Sequence, residues 1–348
     1  MTHFIDSFPG RFVTVNNKKY LYFGGTSYLG LQTDTAFQKL YTTQIKKYGT
    51  SYGASRNSNV QFSIYEKAEY HLAALVGSEK AVTLSSGYLA GQLLCSHFIS
   101  EKHPLFYAPN THSALSQQTG SYFTSYQSLN TEVRRHIATK KTTPVVFIDS
   151  IDFNGSSYPD FVGLQTLPLK DIILVVDDSH GIGILGDKGG GVYQQLQKFT
   201  CKEIVVSCSL GKGFGIQAGA IYGNTSRITS IKNTAFFGGA SPASPASIAT
   251  YLFAQNIYAK KRATLQAHIT LFNQAISQHA SQFIAFPHHP TFGFQNIKLT
   301  KALEENNIIT THFNYPADSN TVMSRIVLSA SHKKKDVTMV SSIINTLF

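Results

Sequence analysis

Three short segments carry side chains that can do chemistry, and each follows an apolar run. DDSHG (177–181) sets two carboxylates and an imidazole directly after IILVV. The pattern reads in two ways. Asp and Ser can serve the amides of the next turn, or a buried carboxylate can face a cationic ring nitrogen with the imidazole beside it. Further along, SLGKG (209–213) places Lys212 between glycines after EIVVSC. That lysine is either a solvated loop residue or an amine on a tight turn, suited to a Schiff base with an aldehyde cofactor. The phosphate-loop order GxxxxGK[ST] is absent, since Gly213 follows Lys212. Ser209 is no nucleophile elbow either, because Ser207 takes the first glycine position of GxSxG. The third segment, SSGY (85–88), joins an apolar run to a helical one, and its amides would suit a phosphate at a helix N-terminus.

The elements behind these segments share a character. AVTLSSG (81–87), PLFYAPN (104–110), PVVFIDS (144–150), DIILVVDDSHG (171–181) and EIVVSCSLGKG (203–213) are short, β-branched or aromatic, and do not alternate cleanly. Strands covered on both faces read this way and are usually parallel. Helical stretches lie between them; over 63–76, Ile64, Ala68, Leu72 and Leu75 fall on one face. The alternation predicts an α/β fold with a mostly parallel, doubly wound central sheet, whose chemistry gathers where strands end. GGASPASPA (238–246) reads as a boundary. Beyond it come a long helical stretch over 244–280, a strand at 324–332 and a helix at 335–347, together a smaller C-terminal α+β domain. The expected division is an N-terminal arm (1–30), a large domain (31–243) and a small domain (244–348).

Composition narrows the classes. The chain of 348 residues is 42% hydrophobic, which excludes general disorder, and only 14% charged. Thirty Lys and Arg against 19 Asp and Glu give a net charge of +11, which points to an anionic partner. The positives fall in scattered pairs, with one run of three at 333–335, rather than on a clustered basic face; no nucleic-acid partner is expected. No run approaches the length of a spanning helix, so no membrane partner is expected. Three cysteines without CxxC spacing fit a reducing compartment, and no signal peptide is read, so the expected location is cytoplasmic.

Taken in order, the segments resemble the fold-type-I pyridoxal-phosphate enzymes, and more narrowly their α-oxoamine synthase family. GTSYLGL (25–31) is similar to that family's NDYLGL, and YGTSYGASR (48–56) to its YGTGxGGSR. DSHGIGILGDKGGG (178–191) and SRIVLSASH (324–332) match its later stretches. The resemblance runs from about residue 20 to the C-terminus and implies a fold-type-I transferase with pyridoxal 5'-phosphate as cofactor. Lys212 would then carry the cofactor as a Schiff base, and Asp177 would pair with the pyridinium nitrogen. His180 would bond the phenolic oxygen, and His112 would stack on the ring. Ser86, Gly87, Tyr88 and Ser209 would hold the phosphate, with Ser241 contributed across a homodimer. Arg325 would clamp the amino-acid carboxylate. The implied reaction condenses an amino acid with an acyl-CoA thioester and releases carbon dioxide; an aminotransferase reaction on the same scaffold is the alternative. Departures from the pattern are Thr111 for asparagine, Ala108 for aspartate, Gly91 for asparagine, Tyr65 for histidine and Asp152 for a serine near the cofactor. The amino-terminal helix is largely missing. These departures bear on the acyl substrate more than on the cofactor.

Overall fold

The computed structural model describes residues 2–314 and 322–348. It divides into two compact units, one built from residues 1–39 with 256–348 and the other from 40–255. In chain order, β1 (Phe12–Val15) and β2 (Lys18–Phe23) belong to the first unit. β3 (Lys80–Leu84), β4 (Leu105–Tyr107), β5 (Ser121–Tyr122), β6 (Val145–Asp149), β7 (Ile173–Asp177), β8 (Glu203–Ser209) and β9 (Gly219–Gly223) form the sheet of the second. β10 (Ile284–Ala285), β11 (Thr291–Phe294), β12 (Ile308–Asn314) and β13 (Val322–Val327) complete the first. Among the described residues, no helix is long and apolar enough to cross a membrane.

The seven-stranded sheet has the order β3-β9-β8-β7-β6-β4-β5. β5, β4, β6, β7 and β8 pair in parallel, whereas β9 runs antiparallel between β8 and β3. The five strands expected from apolar runs are all present. The antiparallel β9, GAIYG, was not expected; glycines at both ends leave only three side chains of strand character. β6 and β7 are buried nearly throughout, as expected for strands covered on both faces. The helix Gly87–Ser100 covers one face, burying Leu93, Leu94 and Phe98 in the same core as Val145, Phe147, Val175 and Val205.

The helix expected over 63–76 spans Ser63–Val76 and buries Ile64, Ala68 and Leu72. Its last core contact is Val76 rather than Leu75, because Val76 lies four residues after Leu72 on the same stripe; Gly77, left-handed, closes the helix behind it. The same helix buries Glu69, whose carboxylate takes both guanidinium nitrogens of Arg56 at 2.8 and 3.2 Å. Glu69 also accepts from the Thr83 amide and hydroxyl, each at 2.8 Å. The Arg56 guanidinium lies 4.0 Å over the Tyr65 ring. This network ties YGTSYGASR and the helix to β3, the strand that leads into SSGY.

In the first unit the sheet order is β1-β2-β12-β13-β11-β10, with β2 and β12 parallel. The stretch read as one long helix over 244–280 is two, Pro245–Phe253 and Gln255–Ala275, interrupted at Ala254. The final helix is Lys334–Leu347; Asp336 accepts from the Lys333 amide and pairs bidentately with Arg11 at 2.6 and 2.7 Å.

Removing one partner of a buried ion pair leaves the other charge uncompensated, which costs far more than the pair contributes. Arg56→Met is expected to lower stability by about 3–5 kcal/mol in urea unfolding followed by circular dichroism. A loss below about 1 kcal/mol, the worth of an exposed pair, would show that Glu69 is reached by water.

Candidate active site

The site is built on register. Asp149 is the partner of Asp177 across β6 and β7, and Asp177 is the partner of Ser207 across β7 and β8. Asp149 and Asp177 thus end neighbouring parallel strands, and Ser207, two residues before the end of β8, completes the row, near the edge where ligands gather in such sheets. The chain then turns. The Ser179 amide donates to Asp177 Oδ1 at 2.8 Å, and the Ser209 amide donates to Ser179 Oγ at 2.8 Å. Ser209 caps the one-turn helix Leu210–Gly213, its Oγ accepting from the Gly211 amide at 3.3 Å.

That turn carries Lys212. A Cβ on Gly213 would lie 2.1 Å from the Ile182 carbonyl oxygen, so the loops after β7 and β8 meet backbone to backbone. Only glycine permits this approach, and it explains the spacing of SHGIG and SLGKG. Burial lowers the proton affinity of the Lys212 amine, while Asp177 and Asp149 oppose the shift. Lysine and carboxylates therefore share one poorly hydrated space.

The two carboxylates of DDSHG divide the two roles between them. Asp178 is fully buried, accepts from the Val192 amide at 3.0 Å and holds the 181–192 loop. Burial pushes its carboxyl up to about 7. Asp177 faces the Lys212 side, within electrostatic reach of Lys212, His112 and Asp149. His180 is half-buried, with its ring edge-on to Phe153 at 5.0 Å.

SSGY sits against the same turn. Ser86 caps the helix Gly87–Ser100, accepting from the Leu89 amide at 3.1 Å. A Cβ on Gly87 would come within 2.7 Å of Ser209 Cβ, so the helix N-terminus rests directly on Ser209. Ser86, Gly87 and Ser209 are therefore together, and the helix's first-turn amides have no acidic side chain among them. Tyr88 takes part through its position in that turn; its side chain is 58% exposed.

His112 is half-buried on the loop after β4. Its amide donates to Asp149 Oδ1 at 3.2 Å, and its Nδ1 accepts from the Ala114 amide at 3.1 Å. Burial lowers the imidazole's pKa, Asp177 raises it and Lys212 lowers it. Thr111 anchors the loop by donating to the carbonyls of Ala108 and Phe147 at 2.8 and 3.1 Å. Gly91 has a steric reason, since a Cβ there would lie 2.4 Å from the Ala114 carbonyl oxygen. The other departures also serve packing. Tyr65 donates to the Ala243 carbonyl at 2.5 Å, and Asp152 accepts from the amides of Asn154, Gly155 and Ser156 at 2.9–3.2 Å.

Two further residues were expected at the site. Ser241 is exposed after the short helix Ala235–Gly239. Arg325 belongs to the other unit, on β13 opposite Gly293 and Thr311, where it helps line a cavity of about 530 Å³. The sequence marks Asp149 only as one of the polar residues that end these strands, and gives it no role in the site. The available signal was the acidic end of PVVFIDS, which pairs with the end of the next strand if the two lie parallel and in register.

The family model for aminotransferase class I and II matches residues 19–344. The 8-amino-7-oxononanoate synthase of Hahella chejuensis is 24% identical over 360 residues, covering 98% of this chain and 90% of that protein. The corresponding synthase of Alcanivorax borkumensis is 26% identical over 352 residues, covering 96% and 90%. Among solved structures, Sphingomonas wittichii serine palmitoyltransferase superposes with a TM-score of 0.82 at 16% identity, over 99% of this chain and 91% of that one. The 8-amino-7-oxononanoate synthase of Francisella tularensis gives 0.70 at 19% identity, over 94% and 97%. The fold is that of the fold-type-I pyridoxal-phosphate transferases. With a family model spanning nearly its whole length, the chain belongs to the aminotransferase class I and II family.

Proposed function

We propose that this chain is a pyridoxal-phosphate enzyme of the α-oxoamine synthase type, condensing an amino acid with an acyl thioester to give an aminoketone, carbon dioxide and a free thiol. The observation that carries the reading is Lys212, held on a glycine-flanked turn within reach of Asp177, with a helix N-terminus resting on Ser209. These residues fit the cofactor. The closed approach of Gly87 to Ser209 makes a cradle a Cβ would fill, and amides at a helix N-terminus suit a phosphate. Lys212 is the amine for attachment, and Asp177 is the carboxylate for a ring cation. Condensation is favoured over transamination by full-length relatives named 8-amino-7-oxononanoate synthase.

When bound, the cofactor supplies an electron sink for charge developing at the amino acid's α-carbon. The chain's own residues do the rest. Burial favours the uncharged amine of Lys212, which can accept the α-proton at Nζ, while Asp177 and Asp149 draw the proton toward it. His112 Nδ1 is occupied by the Ala114 amide, so the ring's orientation is fixed and Nε2 is left as its other polar atom. The covered strands and the close-packed glycine loops keep water from Lys212, which strengthens each of these interactions. Ser86, Gly87, Tyr88 and Ser209 would hold the phosphate, His180 would serve the phenolic oxygen, and Arg325 would take the substrate carboxylate. The assembly is a homodimer in which Ser241 completes the partner subunit's phosphate site.

Purified protein supplied with pyridoxal phosphate is expected to develop a visible absorption band. Borohydride reduction should then leave the cofactor mass on the peptide containing Lys212, and Lys212→Ala should abolish both signals. Failure of the wild-type protein to acquire the band would sink the reading. With an amino acid and a panel of acyl-CoA thioesters, thiol release marks condensation; formation of a keto acid instead would identify an aminotransferase. Gly87→Ala is expected to cost about 1–3 kcal/mol of stability through overpacking against Ser209 and to weaken cofactor binding at least tenfold by equilibrium dialysis. Unchanged binding would place the phosphate elsewhere.

A further inference from the structure

Asp149 has no role in the reading above beyond its charge, yet its surroundings are built. It ends β6 as the in-register partner of Asp177 on parallel β7, so both side chains leave the same face of the sheet on neighbouring strands. From the loop after β4, the His112 amide donates to Asp149 Oδ1 at 3.2 Å. The groups facing it are Asp177 from β7, Lys212 from the helix Leu210–Gly213, His112 from its loop and Asp152 from the turn after β6. Cys208 on β8 is also within electrostatic reach of Lys212.

We propose that Asp149 is a positioning residue of this site: it fixes the loop that presents His112, and its ionisation governs how readily Lys212 holds a proton. Two carboxylates side by side in a poorly hydrated space do not both ionise easily. Burial and Asp177 together hold the Asp149 carboxyl well above the usual range, while the His112 amide and Lys212 pull the other way. At low pH Asp149 is neutral. As pH rises it acquires a charge facing Lys212, which keeps that amine protonated to higher pH than Asp177 alone would. The loop and the lysine are thus coupled through one carboxylate. The inference builds on Lys212 as the point of cofactor attachment, but its electrostatic half is a property of the chain alone.

Asp149→Asn keeps an oxygen for the His112 amide and removes the titration. In cofactor-free protein, the rate of Lys212 acetylation by acetic anhydride, followed against pH by peptide mass spectrometry, reports the amine's own pKa. Its midpoint is expected to fall by about one pH unit in Asp149→Asn, and in the holoenzyme the pH midpoint of the visible cofactor band should move the same way. An unmoved Lys212 midpoint would overturn the proposal. Asp149→Ala removes the anchor as well, and should displace the His112 imidazole NMR signals that Asp149→Asn leaves in place. Unmoved His112 signals in Asp149→Ala would remove the positioning role, and this second variant repeats the acetylation profile if the first does not fold. If wild-type protein takes up no pyridoxal phosphate while the acetylation midpoint still falls, the cofactor reading fails and the role of Asp149 stands.

Discussion

Parallel strands in register deliver their C-terminal residues to one edge of a sheet, and here that edge holds Asp149 and Asp177 side by side, with Ser207 beside Asp177 two residues before β8 ends. A slip of one residue between β6 and β7 would send one carboxylate to the opposite face. That register holds over five consecutive pairs, from Val145 with Ile173 to Asp149 with Asp177. The same pairing aims the loops after β7 and β8 at each other, and Gly183 and Gly213 let their backbones meet. Lys212 is positioned by that meeting rather than by any bond of its own.

Charge in this pocket is under tension. Withholding water pushes the lysine toward its neutral form and the carboxyl of Asp149 toward its own, while attraction between lysine and carboxylates restores the ionic forms. Asp178 lies outside that exchange, bound to the Val192 amide and committed to holding a loop.

Much of this was legible in the amino-acid order. Apolar runs without alternation gave the parallel strands, because burial on both faces erases the period of two. DDSHG and SLGKG were recognisable as a pair, and so was SSGY before a helix. Asp177 was chosen over its neighbour only through the family resemblance, and the loop-holding role of Asp178 was not legible, since adjacent carboxylates look alike until the strand's pleat separates them. Asp149 stood out only as a polar strand end, because its meaning depends on which residue sits beside it on the next strand, a relation that a linear sequence does not display. Gly91 looked like a lost asparagine, and only the carbonyl of Ala114 shows why a side chain is excluded there. β9 was missed for a simpler reason: a five-residue strand with glycine at each end offers too little pattern.

The first unit draws on both ends of the chain. Its parallel β2–β12 ladder joins Leu21 to Ile308 and Phe23 to Thr310, whereas the unit spanning 40–255 is continuous. During synthesis the continuous unit emerges whole while the N-terminal hairpin still lacks its neighbour. The hairpin must wait, one sheet edge unpaired, until nearly three hundred further residues have left the ribosome. β1 and β2 meet that interval with Lys18 and Lys19 at the start of β2, charges of the kind that discourage an open edge from pairing with a stranger.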